Sequence, residues 1–331
     1  MIIADMLPPL PDLRWDYARQ IGVRYAVTRL HPDLTGAPSP ATFETLLRAK
    51  TQFRNAGFDL IGLEGEQFPM ERIKRGLDGR DEDIESYKQI IRNMGALGLK
   101  FFSYSFMACF KAYRTSVTTP WRGGSMTSAF DADLIENVPA IEGAPASHEA
   151  MWDNFSYFLE RIIPVAEEAG VRMALHPDDP PIPEIRGVPR LFGNADAFRR
   201  VLDMVPSPAN ALNFCQGNFV LFDEPLEDLI REFGGGGHIA FLHFRDVAGD
   251  RTRFTETCHD DGPTDMGRML QLYDEVGFRG ALRVDHVPAM SGENDGHGLG
   301  TRQSAGYAAL GRLFAIGYVR GLLEGAGVPE D

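Results

Sequence analysis

Four apolar runs in this chain each end in a side chain able to bind a metal. The run 171–175 stops at His176, with Pro177-Asp178-Asp179-Pro180-Pro181 behind it. Ala211-Leu212-Asn213-Phe214 leads to Cys215, Ile239-Ala240-Phe241-Leu242 to His243, and Ala281-Leu282-Arg283-Val284 to Asp285. Proline lacks the ladder donor and fixes φ, so the turn after His176 cannot prolong a strand. Imidazole, thiolate and carboxylate together hold a transition metal and leave positions for substrate oxygens. Taken singly, each residue has a plain structural explanation. A strand-end cysteine is usually a small buried apolar group, and a histidine before proline can cap a turn. Four such residues on successive strand ends point instead to one metal site. The soft thiolate favours zinc or ferrous iron, although geometry and supply admit manganese.

Other reactive groups cluster nearby. His286 follows Asp285 directly; in an extended strand it would face the other way, but at a strand end it can reach the mouth. Arg283 lies two residues before Asp285 and shares its face. Arg245 and Asp246 follow His243, and the loop 254–262 packs Glu256 and His259 among further acids. Its plain alternative is a solvated acidic turn. Tyr307 is expected to open the last helix, where an ordinary core aromatic is the alternative. His31, Glu64 and Tyr104 stand at or near the ends of strands two, three and four.

The elements that must position these groups alternate strictly. Strands are expected at 2–6, 23–27, 58–63, 99–104, 171–175, 211–214, 238–242 and 281–284. Helices are expected at 12–20, 42–56, 83–97, 147–170, 194–205, 227–233, 265–276 and 304–323. Eight strand–helix units imply a parallel sheet closed into a single (β/α)8 barrel, the TIM-barrel architecture, over residues 1–331. The rival, an open doubly wound sheet, would scatter the four donors, whereas closure brings them to one mouth. The Gly234–Gly237 run precedes a strand rather than opening a helix, so it reads as a connection and not a dinucleotide turn. Residues 106–146 show no long periodic run and read as a long loop, a lid or arm over the strand ends.

The chain has 331 residues, 44% of them hydrophobic, and a formal net charge of −14. That charge argues against nucleic acid as a partner, since phosphate binding needs a clustered basic surface. An anionic substrate would need its own local cations. Three cysteines make no disulfide scaffold. No signal segment or membrane-length run is visible, so the expected location is cytoplasmic, without membrane association.

At these residues the chain resembles the mannonate dehydratase family, built on a xylose-isomerase-like barrel. The segments that carry the resemblance begin with His176 to Pro181, Ser207-Pro208-Ala209-Asn210 and Phe214-Cys215-Gln216-Gly217. His243-Phe244-Arg245-Asp246-Val247, Glu256 with His259, Arg283-Val284-Asp285-His286, and Gly306-Tyr307 to Gly321-Leu322 follow. The resemblance implies a divalent metal, typically Mn2+ with Fe2+ or another divalent ion as alternatives, on His176, Cys215, His243 and Asp285. It implies loss of water from D-mannonate to give 2-keto-3-deoxygluconate. Tyr307 and His286 are then the acid–base pair, their order unassigned, and Arg283 holds or polarises a partner. His31, Glu64, Tyr104, Arg245, Glu256 and His259 are the expected substrate contacts. Two stretches depart from the family pattern. Val287-Pro288 stands where glycine and a basic residue are usual, and Ser105 and Ala108 where asparagine and proline are common. The loop 290–303 is long and glycine-rich. All three sit where substrate hydroxyls would be read, which makes a related sugar acid the alternative substrate.

A metal-dependent sugar isomerase or epimerase on the same barrel is the nearest rival; such enzymes often use Glu, Asp and His without Cys. A sugar- or metal-binding protein would need no acid–base pair, and a zinc endonuclease would need a basic patch. The arm 106–146 is the candidate contact for a homodimer or higher homo-oligomer.

Overall fold

Short runs of β-branched, aromatic and small apolar residues form eight parallel strands. They are β1 (Ile2–Met6), β2 (Tyr25–Thr28), β3 (Asp59–Glu64), β4 (Phe101–Tyr104), β5 (Arg172–Leu175), β6 (Asn210–Cys215), β7 (Ile239–Phe244) and β8 (Ala281–Val284). Each pairs with its neighbours in sequence, and β8 returns to β1, which closes the barrel. The computed structural model describes residues 1–145, 147–293 and 306–330.

Strand side chains alternate between the barrel interior and the helix layer. The interior holds Ala4, Val27, Ile61, Ala174, Ala211, Ala240 and Ala281 around two rings, Phe101 and Phe241. These rings stack with centroids 4.5 Å apart. Small residues on most strands make room for two large ones, so the interior is filled rather than a pore. Burying each ring contributes about 2–3 kcal/mol. Outside, the helix His148–Ala169 shows how local signals set an element. Ser147 accepts a bond from the Ala150 amide at 3.2 Å, and Gly170 ends the helix at φ +66°. Its buried stripe, Met151, Phe155, Phe158, Leu159, Ile162, Ile163 and Ala166, follows helical spacing.

Two expectations are corrected. The segment 106–146 is not an unstructured loop. Ser116–Pro120 and Met126–Asp131 form an antiparallel hairpin that joins Arg253–Glu256 and Val247–Asp250 in a four-stranded sheet. Its strands are short and Ser116–Pro120 is largely exposed, so no sustained apolar alternation marked it. The sheet closes over a small core of Phe130, Ile182, Ile185, Leu221, Val247 and Phe254. The loop 254–262 accordingly begins as a strand, and Glu256 is buried rather than solvated. The last helix runs Ala309–Ala326. Tyr307 precedes it and bridges to Val287; Ser304, and residues 294–303 of the glycine-rich loop, lie outside the described residues. Among the described residues no helix is long and apolar enough to cross a membrane.

Candidate active site

The C-terminal ends of β5 to β8 bring the four donors together. Cys215 lies in register with His243, and His243 with Arg283. Donor atoms of His176, Cys215 and His243 all lie within 4.8 Å of one another. Asp285 completes the group, with Oδ2 3.5 Å from His243 Nδ1 and 4.0 Å from Cys215 Sγ. His176 Nδ1 sits 2.7 Å from the Pro177 carbonyl. A proton on that nitrogen satisfies the carbonyl and leaves Nε2 as a lone pair. His243 Nε2 lies 2.9 Å from Asn213 Nδ2, 3.2 Å from Arg283 Nη2 and 3.3 Å from Glu64 Oε1, while Nδ1 is buried without a hydrogen bond.

These donors suit a divalent cation. Burial and Arg283 press His243 toward neutrality, but Asp285 and Glu64 outweigh them and raise it to about 8. The orphaned Nδ1 of His243 and Oε2 of Glu64 are the buried atoms such a cation would satisfy.

Buried arginines fix the carboxylates. Arg283 Nη2 donates to Glu64 and to Asp285, both at 2.7 Å. Burial opposes ionisation of Glu64, yet Arg283 and then His243 together outweigh it and draw the group down to about 2. Arg245 donates to Glu256 at 3.0 Å and Asp285 at 3.1 Å, and also reaches Asn218. Arg114 donates to Asp179 at 2.6 Å and to Glu256 at 2.5 Å. Asp179, Glu256 and His286 form a second compact acid–histidine group. Two guanidiniums already compensate its charge, which suits it to hold His286 rather than an ion.

His286 reaches the mouth through its backbone. Its φ is +37°, a conformation that costs a non-glycine residue on the order of 1–3 kcal/mol. In extended backbone it would face away from Asp285; the left-handed turn swings it inward. There Nδ1 lies 2.9 Å from Glu256 Oε1, which leaves Nε2 for the cavity. The Tyr307 ring sits 5.6 Å from the His286 ring. Burial of the hydroxyl and then Asp285 push it up to about 12, although the residue as a whole stays 47% exposed at the rim.

A cavity of about 160 Å³ opens on this group, lined by Glu64, His176, His243, Arg283, Asp285, His286 and Tyr307. Not every expected contact reaches it. His31 caps the short helix Pro32–Thr35, accepting from the Asp33 amide at 3.2 Å; the chain has left the barrel by then, and Arg29 lines the cavity instead. Tyr104 reaches the lining, but its ring is buried toward the helix layer, 5.9 Å from Phe158, and its hydroxyl has no partner. The neighbours Ser103 and Ser105 line the cavity too. His259 is behind β7, 2.7 Å from the Phe244 carbonyl, and burial lowers it to about 4. Arg245 and Glu256 lie beneath the cavity as supports. Sequence reasoning missed Arg29, Glu66, Lys111, Arg114 and Asp179 as site residues. Asp179 stood within the His176 motif, but the others lay in stretches without a periodic or motif signal.

The family model described as D-mannonate dehydratase (UxuA) matches residues 12–143 and 144–327. Mannonate dehydratase of Enterococcus faecalis is 34% identical over 313 residues, covering 83% of this chain and 84% of that protein. The crystal structure of mannonate dehydratase from Streptococcus suis serotype 2 superposes with a TM-score of 0.84 at 28% identity, covering 100% of this chain and 96% of that one. A xylose isomerase domain protein from Planctomyces limnophilus shares the fold at 13% identity and a TM-score of 0.61, covering 98% and 97% of the two chains. Together with the strand-end geometry, these matches place the chain in the mannonate dehydratase family of hydro-lyases, on a xylose-isomerase-like TIM barrel.

Proposed function

We propose that this enzyme removes water from D-mannonate to give 2-keto-3-deoxygluconate, with a divalent metal, typically Mn2+ or alternatively Fe2+, held by His176, Cys215, His243 and Asp285. The observation that carries this reading is the convergence of three donors within 4.8 Å beside a cavity that also holds His286 and Tyr307. When bound, the metal would supply positive charge that stabilises the negative charge building on the substrate as the C2 proton leaves.

The chain's own residues supply the rest. His286, its Nδ1 proton committed to Glu256, presents Nε2 as the base for C2. Tyr307, raised to about 12, is protonated at neutral pH and serves as the acid for the departing C3 hydroxyl. Arg283 holds Glu64 and Asp285 in place and takes no proton. Incubating Mn2+-loaded protein with D-mannonate should yield a 2-keto-3-deoxy acid, and chelation should abolish it. Equimolar metal without product would refute D-mannonate as substrate.

A further inference from the structure

The half of the mouth away from the metal donors is built around positive charge. Lys74 is fully buried, its ammonium 2.5 Å from Glu66 and 2.8 Å from the Met107 carbonyl. The other Glu66 oxygen lies 3.3 Å from Lys111, whose side chain is half-exposed at the cavity. Burial opposes ionisation of Glu66, but Lys74 and then Lys111 hold it below the usual carboxylate range. Since Lys74 already balances Glu66, the charge on Lys111 is surplus. Arg29 follows β2 and passes over Gly65, where its Cδ lies 3.5 Å from the place of an added Cβ. Arg29 has no ion pair among the described residues.

Arg29, Glu66 and Lys111 line the same cavity as His176, His243, Asp285 and His286. In this closed barrel β6 stands opposite β2, β7 opposite β3 and β8 opposite β4. The cations therefore face Cys215, His243 and Asp285 across the mouth. A six-carbon acid bound through its C1 end to the donor side extends its far end toward Arg29 and Lys111. A terminal alcohol offers these cations no counter-charge; a carboxylate does.

Resting on the dehydratase reading above, we propose that the preferred substrate is a hexaric acid, a sugar acid with a second carboxylate at C6 bound by Arg29 and Lys111. In a cavity of about 160 Å³ a C6 carboxylate adds a single oxygen to the alcohol, whereas a phosphate ester adds a whole phosphoryl group. The chemistry is unchanged. The C2–H and C3–O bonds break, proton and hydroxyl leave as water, and the enol returns to a 2-keto-3-deoxy diacid without a co-reactant.

The test compares D-mannonate with D-mannarate, which shares its configuration and, being two-fold symmetric, offers the same reacting carbon from either end. With Mn2+-loaded enzyme, kcat/KM for the diacid should be higher by roughly tenfold to a hundredfold, the range for hydrogen bonds to charged groups. That ratio should fall toward one in Arg29→Gln and Lys111→Gln. Because the ratio is taken within each variant, loss of folded protein does not affect it. Turnover of D-mannonate at equal or higher kcat/KM overturns the proposal. A diacid preference that survives both substitutions overturns the assignment of the two cations. Turnover of neither acid overturns the dehydratase reading itself, and the proposal with it.

Discussion

The two halves of the barrel mouth handle charge in opposite ways. Strands β5 to β8 deliver imidazoles, a thiol and a carboxylate to one point, with Arg245 and Arg283 buried to about 1% exposure beneath them. Strands β2 to β4 deliver Glu64, which is tied across the mouth to Arg283, and then Arg29, Glu66 and Lys111, of which Lys111 remains about half-exposed. The donor half is over-determined: each carboxylate has a guanidinium and each imidazole a partner that turns its ring. The cation half is anchored at one buried ion, Lys74, and loosens toward solvent. The proposed reaction centre thus lies on the rigid half and the proposed C6 contact on the looser one, an arrangement that suits chemistry needing fixed geometry and binding needing charge.

The comparison can be broken first at Cys215. Cys215→Ser replaces a thiolate with a poor, protonated ligand; metal content should fall and kcat/KM should drop by roughly a hundredfold or more. Metal analysis alongside turnover reads both, and full retention of both would remove the donor half as drawn. On the other side, Lys74→Met leaves Glu66 with only the half-exposed Lys111. Stability should fall by roughly 3 kcal/mol, the lower end for one member of a buried pair, and denaturant unfolding measures it. A loss below 1 kcal/mol would mean that the cation half has no buried anchor.

Glu256→Gln sharpens the contrast within the donor half. It weakens the acceptor that orients His286 without touching the metal donors. Turnover should fall roughly tenfold to a hundredfold with metal content unchanged; equal losses of both would assign Glu256 to metal retention. The smallest effect concerns His259. Its folded value of about 4 lies below the ordinary 6.5, so it is neutral when folded, and the unfolded chain takes up the proton first as pH falls. The stability present above pH 6.5 is therefore lost between pH 6.5 and 4. From pH 7 to pH 5 the loss is about 2 kcal/mol, which His259→Gln should remove from the pH dependence of unfolding.

Much of the donor half was legible in the sequence because each donor directly ends an apolar run. Pro177 after His176 and the register of short strands leave those side chains little choice of place. What hid was set by backbone excursions and long-range pairing. The inward swing of His286 depends on φ at one residue, which no pattern of residue types encodes. Arg114 meets Asp179 and Glu256 from the irregular segment just before a hairpin whose exposed edge erased its alternation. His31 and Arg29 are two residues apart, and only the point at which the chain leaves the barrel decides which one faces the cavity. Tyr307 was recognised as a candidate but assigned to a helix that starts after it.

The central claim is that a thiolate and two imidazoles at one end of this barrel hold the metal. It is tested most directly by loading the protein with Co2+ and recording its absorption. The account predicts an intense near-ultraviolet thiolate-to-cobalt charge-transfer band at equimolar metal, absent from Cys215→Ser. Equimolar Co2+ bound without that band, or with a band that persists in Cys215→Ser, would contradict it.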